Sequence, residues 1–515
     1  MRISLPLLLV LLSVAFFGCG GGGSAFGDGG GADGGDLDGT LVGDGHGFNF
    51  GDSGPTGDGG CVGLQCQQSA NTSISGTVYD PAGAIGIYNV FVYVPNDTLS
   101  PIADGPVCTQ CQAPASGNPI ASATTDALGH FTLTNAPVGA NIPLVLQVGK
   151  WRRHLTIANV TAGVDNAQPD KSLRLPKKQH ESSPDDNIPL MALTTGCDLA
   201  ECFFLKRIGI DPSEFTASNG TGRVRLYKST NDDGQTFPSP YNASGAQNAD
   251  YLWNTKTEMM KYDIIFDACE CNTYSRGSSG YQNMLDYLNG GGRAFTTHYF
   301  YNFFANSTQC GGAGGYCNGV SPLPTVGAWE GNQGLADACG NTSFSVSSCS
   351  SCPNVAALDS FDGRCLKIDT AIPKGKALAD WYKANNAKLT NAGEAYGYLG
   401  LSDIREDMGK LSASLLAAGT ATPWLYAGDV TSNYDAYYFS FNTPLGTNPA
   451  TQCGRAIFSD VHLTGYGTGG TSFPSYCGDP NSFDHDTNEL ALEFLFFDLS
   501  SCVQNDTQPP PPPPN

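Results

Sequence analysis

The chain has 515 residues and a formal net charge of -22 at pH 7, yet charged residues make up only 14% of it. That length allows two or three domains with real cores, while the shortage of Lys and Arg excludes nucleic-acid binding by phosphate neutralisation and electrostatic docking on anionic lipid. Eighteen cysteines, many in close pairs, point to an oxidising compartment, where such pairs read as disulfides in preference to zinc ligands.

The first residues carry an export pattern. Met1 and Arg2 form a short positive start, and residues 5–17 are an apolar run too short to span a bilayer. The run ends in Gly18-Cys19, which resembles the bacterial lipobox. The resemblance implies a signal peptide over residues 1–18 and acylation of Cys19. With Gly20 following in place of Asp, it implies an outer-membrane anchor. Residues 19–71 are rich in Gly and Asp and hold no Lys or Arg, so they cannot bury enough apolar surface to fold. They are expected to form a lipidated tether that holds the rest outside the cytoplasm, with the membrane as first partner.

Residues 72–175 alternate in the manner of short strands. The runs 73–80, 90–94, 121–126, 130–133, 143–149 and 153–157 are separated by Gly, Asp and Pro turns, which indicates a β-sandwich. The strings SGTVYDPAG, VFVYVP and TTDALGHFTLTNAPVG resemble a carboxypeptidase-regulatory-like domain. That resemblance implies a small prealbumin-like sandwich with a spacer or binding role and no peptidase activity.

From residue 187 to 503 the pattern becomes strands alternating with helices, the signature of an α/β sheet. Strands are expected at 188–193, 223–227, 262–268, 293–298, 422–427, 437–441 and 455–462, and helices at 199–209, 281–288, 377–384 and 488–499. Residues 310–365 carry six cysteines among Gly, Ser and Asn and read as a disulfide-stapled insertion. Residues 504–515 form a Pro-rich tail. KYDIIFDAC followed by MLDYLNGGGRAFTTHYF resembles glutamine-amidotransferase-like and trehalose-utilisation-like α/β domains, and implies that flavodoxin-like fold class. The two-domain layout also resembles myxobacterial-type surface lipoproteins.

In open α/β sheets ligands bind beyond the carboxyl ends of the strands. Three such ends carry reactive groups here: Asp267, Cys269 and Glu270; His298, Tyr299 and Tyr301; Asp460 and His462. If the ends meet, His298, His462 and Asp460 are the candidate ligands of a divalent metal, and with Glu270 they are the candidate acid–base groups. No other cofactor is expected. Cys269 lacks the glycines of a Gly-x-Cys-x-Gly elbow, which counts against it as a nucleophile. The aromatic run 299–304 reads as packing before it reads as a sugar platform.

The cysteines are expected to pair locally as Cys61/Cys66, Cys108/Cys111, Cys197/Cys202, Cys310/Cys317 and Cys349/Cys352. Cys453 opens a strand and Cys502 closes the helix that returns along it, so these two read as partners, with Cys477 reaching Cys269 or Cys271. The expected role is a lipid-anchored envelope protein that binds glycan, matrix or protein without catalysis. The alternative is a divergent amidotransferase-like hydrolase or metal enzyme.

Overall fold

A computed structural model describes residues 61–509, apart from internal stretches of which 230–242, 306–321, 354–362, 464–472 and 478–486 are the longest; Cys197 and Cys271 fall in shorter ones. The expected signal peptide, Cys19, most of the tether, Cys310 and Cys317 all lie outside the described residues. No helix among the described residues is long and apolar enough to cross a membrane.

Residues Cys61–Asn515 form one compact unit. Its first part is two four-stranded sheets. One has β1 (Ser73–Tyr79) between β4 (His130–Thr134) and β7 (Asp165–Ala167), with β8 (Leu173–Arg174) also on β1. The other runs β3 (Pro119–Thr124), β2 (Phe91–Pro95), β5 (Gly139–Val148), β6 (Trp151–Val160). Ile74, Val78 and Leu133 of the first and Val92, Leu144 and Leu146 of the second all join one buried cluster.

The second part is a ten-stranded mixed sheet. Its order is β10 (Phe215–Ala217), β11 (Val224–Lys228), β9 (Met191–Thr195), β12 (Ile264–Asp267), β13 (Arg293–Thr297), β20 (Gly454–Ser459), β19 (Asn433–Thr443), β18 (Ala421–Asp429), β15 (Arg364–Ile368), β16 (Tyr398–Leu401). The first six are parallel and the remaining pairings antiparallel. Both faces are covered. Ile264, Phe266, Phe295 and Ile457 point into the cluster shared with the first part, and Ile265, Ala294, Ala456 and Phe458 into a second cluster on the opposite face. This explains why the stretch around β12 reads as a nearly unbroken apolar run. The long helices are α1 (Gly277–Asn289), α2 (Pro373–Asn386) and α3 (Thr487–Ser500). The helix expected at 199–209 is a short α turn, Ala200–Cys202, that widens into a π segment, Phe203–Ile208, before Gly209 stops it at φ 83°.

The two parts are packed as one. Trp151 lies against Phe496 and Phe497 of α3, with ring centroids 6.4 and 6.0 Å away. The β5–β6 turn comes so close to the end of α3 that a Cβ on Gly149 would sit 1.7 Å from the carbonyl oxygen of Ser500. That contact admits only glycine at this turn, where φ is +53°.

The disulfides correct most of the local pairing. Cys61–Cys66 forms as expected. Cys108 and Cys111 do not bond each other: Cys108 joins Cys453 and Cys111 joins Cys502. The helix does return Cys502 to the start of its strand, but both cysteines are taken by the loop between β2 and β3, which packs against that end. Cys202 bonds Cys477, not Cys197. Cys349 and Cys352 bond Cys339 and Cys365 respectively, not each other. Cys269 remains reduced and buried.

Candidate active site at the carboxyl edge of the parallel strands

Strand β9 is followed in sequence by neighbours on one side, β10 and β11, and then by β12 on its other side. The winding therefore reverses at β9/β12, which opens a crevice beyond their carboxyl ends. The registers bring four ends level there. Thr194 of β9 lies opposite Asp267 of β12, Asp267 opposite Thr296 of β13, and Thr297 opposite Ser459 of β20.

The residues just past these ends converge. Cys269 stands two places after β12, His298 one place after β13, His462 three after β20 and Asp198 three after β9. The Cys269 Sγ lies 3.1 Å from His298 Nδ1. His462 Nδ1 lies 2.7 Å from an Asp198 carboxylate oxygen. The other Asp198 oxygen accepts the Leu463 N–H at 3.2 Å and the Thr297 hydroxyl at 3.4 Å. Fixed by that carboxylate, His462 is left with Nε2 as its basic nitrogen. The two imidazole centroids are 4.6 Å apart, and one donor atom from each of Cys269, His298 and His462 falls within 4.8 Å of the others.

The backbone is bent to this arrangement. His298 has φ +42°, a left-handed conformation that costs a side-chain-bearing residue on the order of 1–3 kcal/mol and persists where surrounding structure demands it. Gly196, after β9, passes so near that a Cβ there would lie 2.5 Å from the Cys269 carbonyl oxygen. The close approach that an elbow would obtain from flanking glycines comes here from a glycine on the neighbouring strand.

The electrostatics favour a charged pair. Burial opposes ionisation of the Cys269 thiol, but hydrogen bonds from His298 and His462 outweigh it and hold the thiol below its ordinary value. Burial likewise disfavours the His462 cation, yet the charge of Asp198 and its hydrogen bond raise that imidazole to about 11. Asp198 carboxylate, His462 imidazolium and Cys269 thiolate thus form an alternating row of charges. Cys269 is fully buried and His298 nearly so, whereas the His462 side chain is 12% exposed.

The structure brings His298 and His462 together in one donor cluster, of which Glu270 and Asp460 are not members. Glu270 turns away to a buried ion pair with Arg276 and accepts the Ser229 hydroxyl at 2.9 Å. Asp460 is buried in the run after β20, where its backbone bonds Tyr437 and Arg405, and it does not join the donor cluster. The carboxylate that meets His462 is Asp198, which sequence reasoning missed because it precedes a helical pattern and reads as a helix-start residue. The aromatic run packs inward: Phe300, Tyr301, Phe303 and Phe304 all belong to the second core cluster.

No protein-family model matches the chain, and no curated protein matches it. Among solved structures, the chain is similar to a putative ThuA-like protein from Bacteroides uniformis, with 10% identity over 59% of this chain and 88% of that one and a TM-score of 0.28. It is also similar to two type II cohesin–X-dockerin interface mutants from Acetivibrio cellulolyticus. Their identities are 13% and 14%, over 29% and 30% of this chain and 78% and 79% of theirs, with TM-scores of 0.15.

Proposed function

We propose that the carboxyl edge is a thiol-dependent active site for acyl transfer, most simply hydrolysis of an amide or ester. The observation that carries this is the continuous row Asp198–His462–Cys269 at the topological switch point, with a 2.7 Å bond fixing the histidine. Nucleophile, base and orienting carboxylate stand in the relation such chemistry requires. Cys269 Sγ attacks the acyl carbon, the bond to nitrogen or oxygen breaks, and His462 gives its proton to the leaving group. Water then attacks the thioester, loses a proton to His462, and releases the acid with the Cys269 thiolate and His462 imidazolium restored. His298 Nδ1, 3.1 Å from the sulfur, steadies the thiolate.

The resemblance of residues 261–300 to amidotransferase-like domains supports this reading, as does one reduced cysteine beside six disulfides among the described residues. Those disulfides are what a chain folding in an oxidising compartment carries. The setting we infer is a lipid-anchored envelope protein, with Cys19 as anchor and the first two sheets as a prealbumin-like spacer or binding module for glycan or protein. A purely non-catalytic role would require neither the strained His298 nor the Asp198–His462 bond.

A second reading rests on the same donors. One thiolate and two imidazoles within 4.8 Å suit a soft divalent cation such as zinc with one open position. The two readings part in one experiment on the purified chain. In the first, iodoacetamide labels Cys269 in the native protein faster than in free cysteine, Asp198→Asn slows it by about ten- to a hundredfold, and no metal co-purifies. One zinc per chain, lost on His298→Ala, establishes the second. A metal-free protein whose Cys269 reacts only after denaturation sinks both.

A further inference from the structure

At the opposite, amino edge of the sheet lies a cavity of about 260 Å³ between the two parts of the molecule. Its volume equals that of roughly nine water molecules, and a cavity of about 150 Å³ already accepts a benzene ring. The walls are mainly apolar, with Ile102, Val107, Pro189 and Ile264 among them. Val107 is 44% exposed, one of the few large apolar side chains left open on this surface.

Two cations border it, Lys150 and Arg293, and they are not equivalent. Lys150 is spent: its ammonium donates to Asp263 at 2.5 Å and to the carbonyls of Ala103 and Gly105 at 2.8 and 2.5 Å. Asp263 is spent as well, accepting the N–H groups of Gly105 and Leu190. Arg223, 3.7 Å from Asp263, is held by Asp104. Arg455, behind Arg293, is balanced by Asp498 and Asp506. Arg293 makes no ion pair among the described residues, although only 7% of it is exposed. Its Nη1 donates to the carbonyls of Gly291 and Cys453 and its Nη2 to that of Ser501 at a long 3.4 Å, while its Nε has no acceptor. A buried guanidinium that no carboxylate pairs costs several kcal/mol of solvation, offset here only in part by the charge of Asp498, which is already shared by Lys374 and Arg455, and a guanidinium is the side chain that takes a carboxylate in two-point contact.

We infer that this cavity binds a small monocarboxylic acid with an aromatic or branched apolar body, its carboxylate on Arg293 and its body against Ile102, Val107, Pro189 and Ile264. The site is separate from the thiol cluster, which occupies the other ends of the same strands. Calorimetric titration of the full chain with 3-phenylpropanoate tests it, with 3-phenylpropanamide and acetate as controls. Saturable binding of the acid is expected, with the amide and acetate each at least tenfold weaker. Arg293→Gln is expected to weaken the acid at least tenfold. Val107→Trp, which fills the cavity from its exposed rim and leaves Arg293 and its carbonyl contacts alone, is expected to do the same. The inference is overturned if the acid gives no saturable heat, if the amide binds as well as the acid, or if Val107→Trp binds as the native chain does.

Discussion

The two edges of the parallel strands both gather charged and sulfur-bearing side chains and use them in opposite ways. At the amino edge the sulfurs are oxidised into Cys108–Cys453 and Cys111–Cys502. Apart from Arg293, the buried charges there are balanced by fixed partners: Lys374 and Arg455 lie between Asp498 and Asp506 at 2.7–2.9 Å, all four fully or almost fully buried. At the carboxyl edge the sulfur of Cys269 stays reduced, His298 is held at φ +42°, and the charges of Asp198, His462 and Cys269 are aligned without a covalent tie. One edge is crosslinked and ion-paired across the two parts of the molecule, and the other holds a reactive arrangement at its own energetic cost. Substitutions at the amino edge should therefore move stability and leave Cys269 reactivity alone.

The largest effect is expected from Asp506→Ala, which leaves Lys374 and Arg455 sharing the single carboxylate of Asp498. Breaking such a buried network should cost about 3–5 kcal/mol in urea unfolding. In the fraction that stays folded, alkylation of Cys269 should hold within about twofold, because distant sites act independently. A large change in that rate would show that the two edges are coupled. Next is Cys111→Ser with Cys502→Ser, expected to cost about 2–4 kcal/mol while Cys108–Cys453 keeps the two parts joined. An unchanged melting temperature would mean that packing through Trp151 and α3 already closes this edge.

The smallest concerns Glu489 in the first turn of α3. Burial, reinforced by Glu493 and opposed by Arg207, raises its carboxyl to about 8. A carboxyl raised on folding binds its proton more tightly in the folded state. Its stabilising share is complete below the ordinary carboxylate value and is lost as pH climbs through 8. Glu489→Gln should remove that loss, gaining roughly 1–3 kcal/mol over the native chain between pH 5 and pH 9. Parallel pH profiles for the two proteins would refute the assignment.

Much of the fold was legible because local pattern and burial agree. The run at 262–268 is nearly all apolar, as a central parallel strand buried on both faces must be, and with the runs at 293–298 and 455–462 it becomes β12, β13 and β20. His298 and His462 could be found for the same reason, since each stands just past a strand that the pattern marks. Asp198 could not, because its strand end is followed at once by a helical pattern and its partner is 264 residues away. The cysteine pairing shows the same division. That Cys453 and Cys502 lie close follows from one helix returning along one strand. Which sulfurs they meet depends on a loop nearly 350 residues earlier in the chain, and spacing carries no trace of that.

The two long-range crosslinks also set the order of events when the chain is made. Cys108 and Cys453 are 345 residues apart. At ribosomal rates the earlier member waits roughly 20–70 s for its partner to be synthesised. Through that interval Cys108 and Cys111 stand in a Cys-x-x-Cys arrangement, with only each other within local reach. Their correct partners arrive only with β20 and the end of α3. A chain stopped short of residue 502 would carry the first two sheets complete and still leave Cys111 without its partner, so the last crosslink of this edge waits for the end of the last helix.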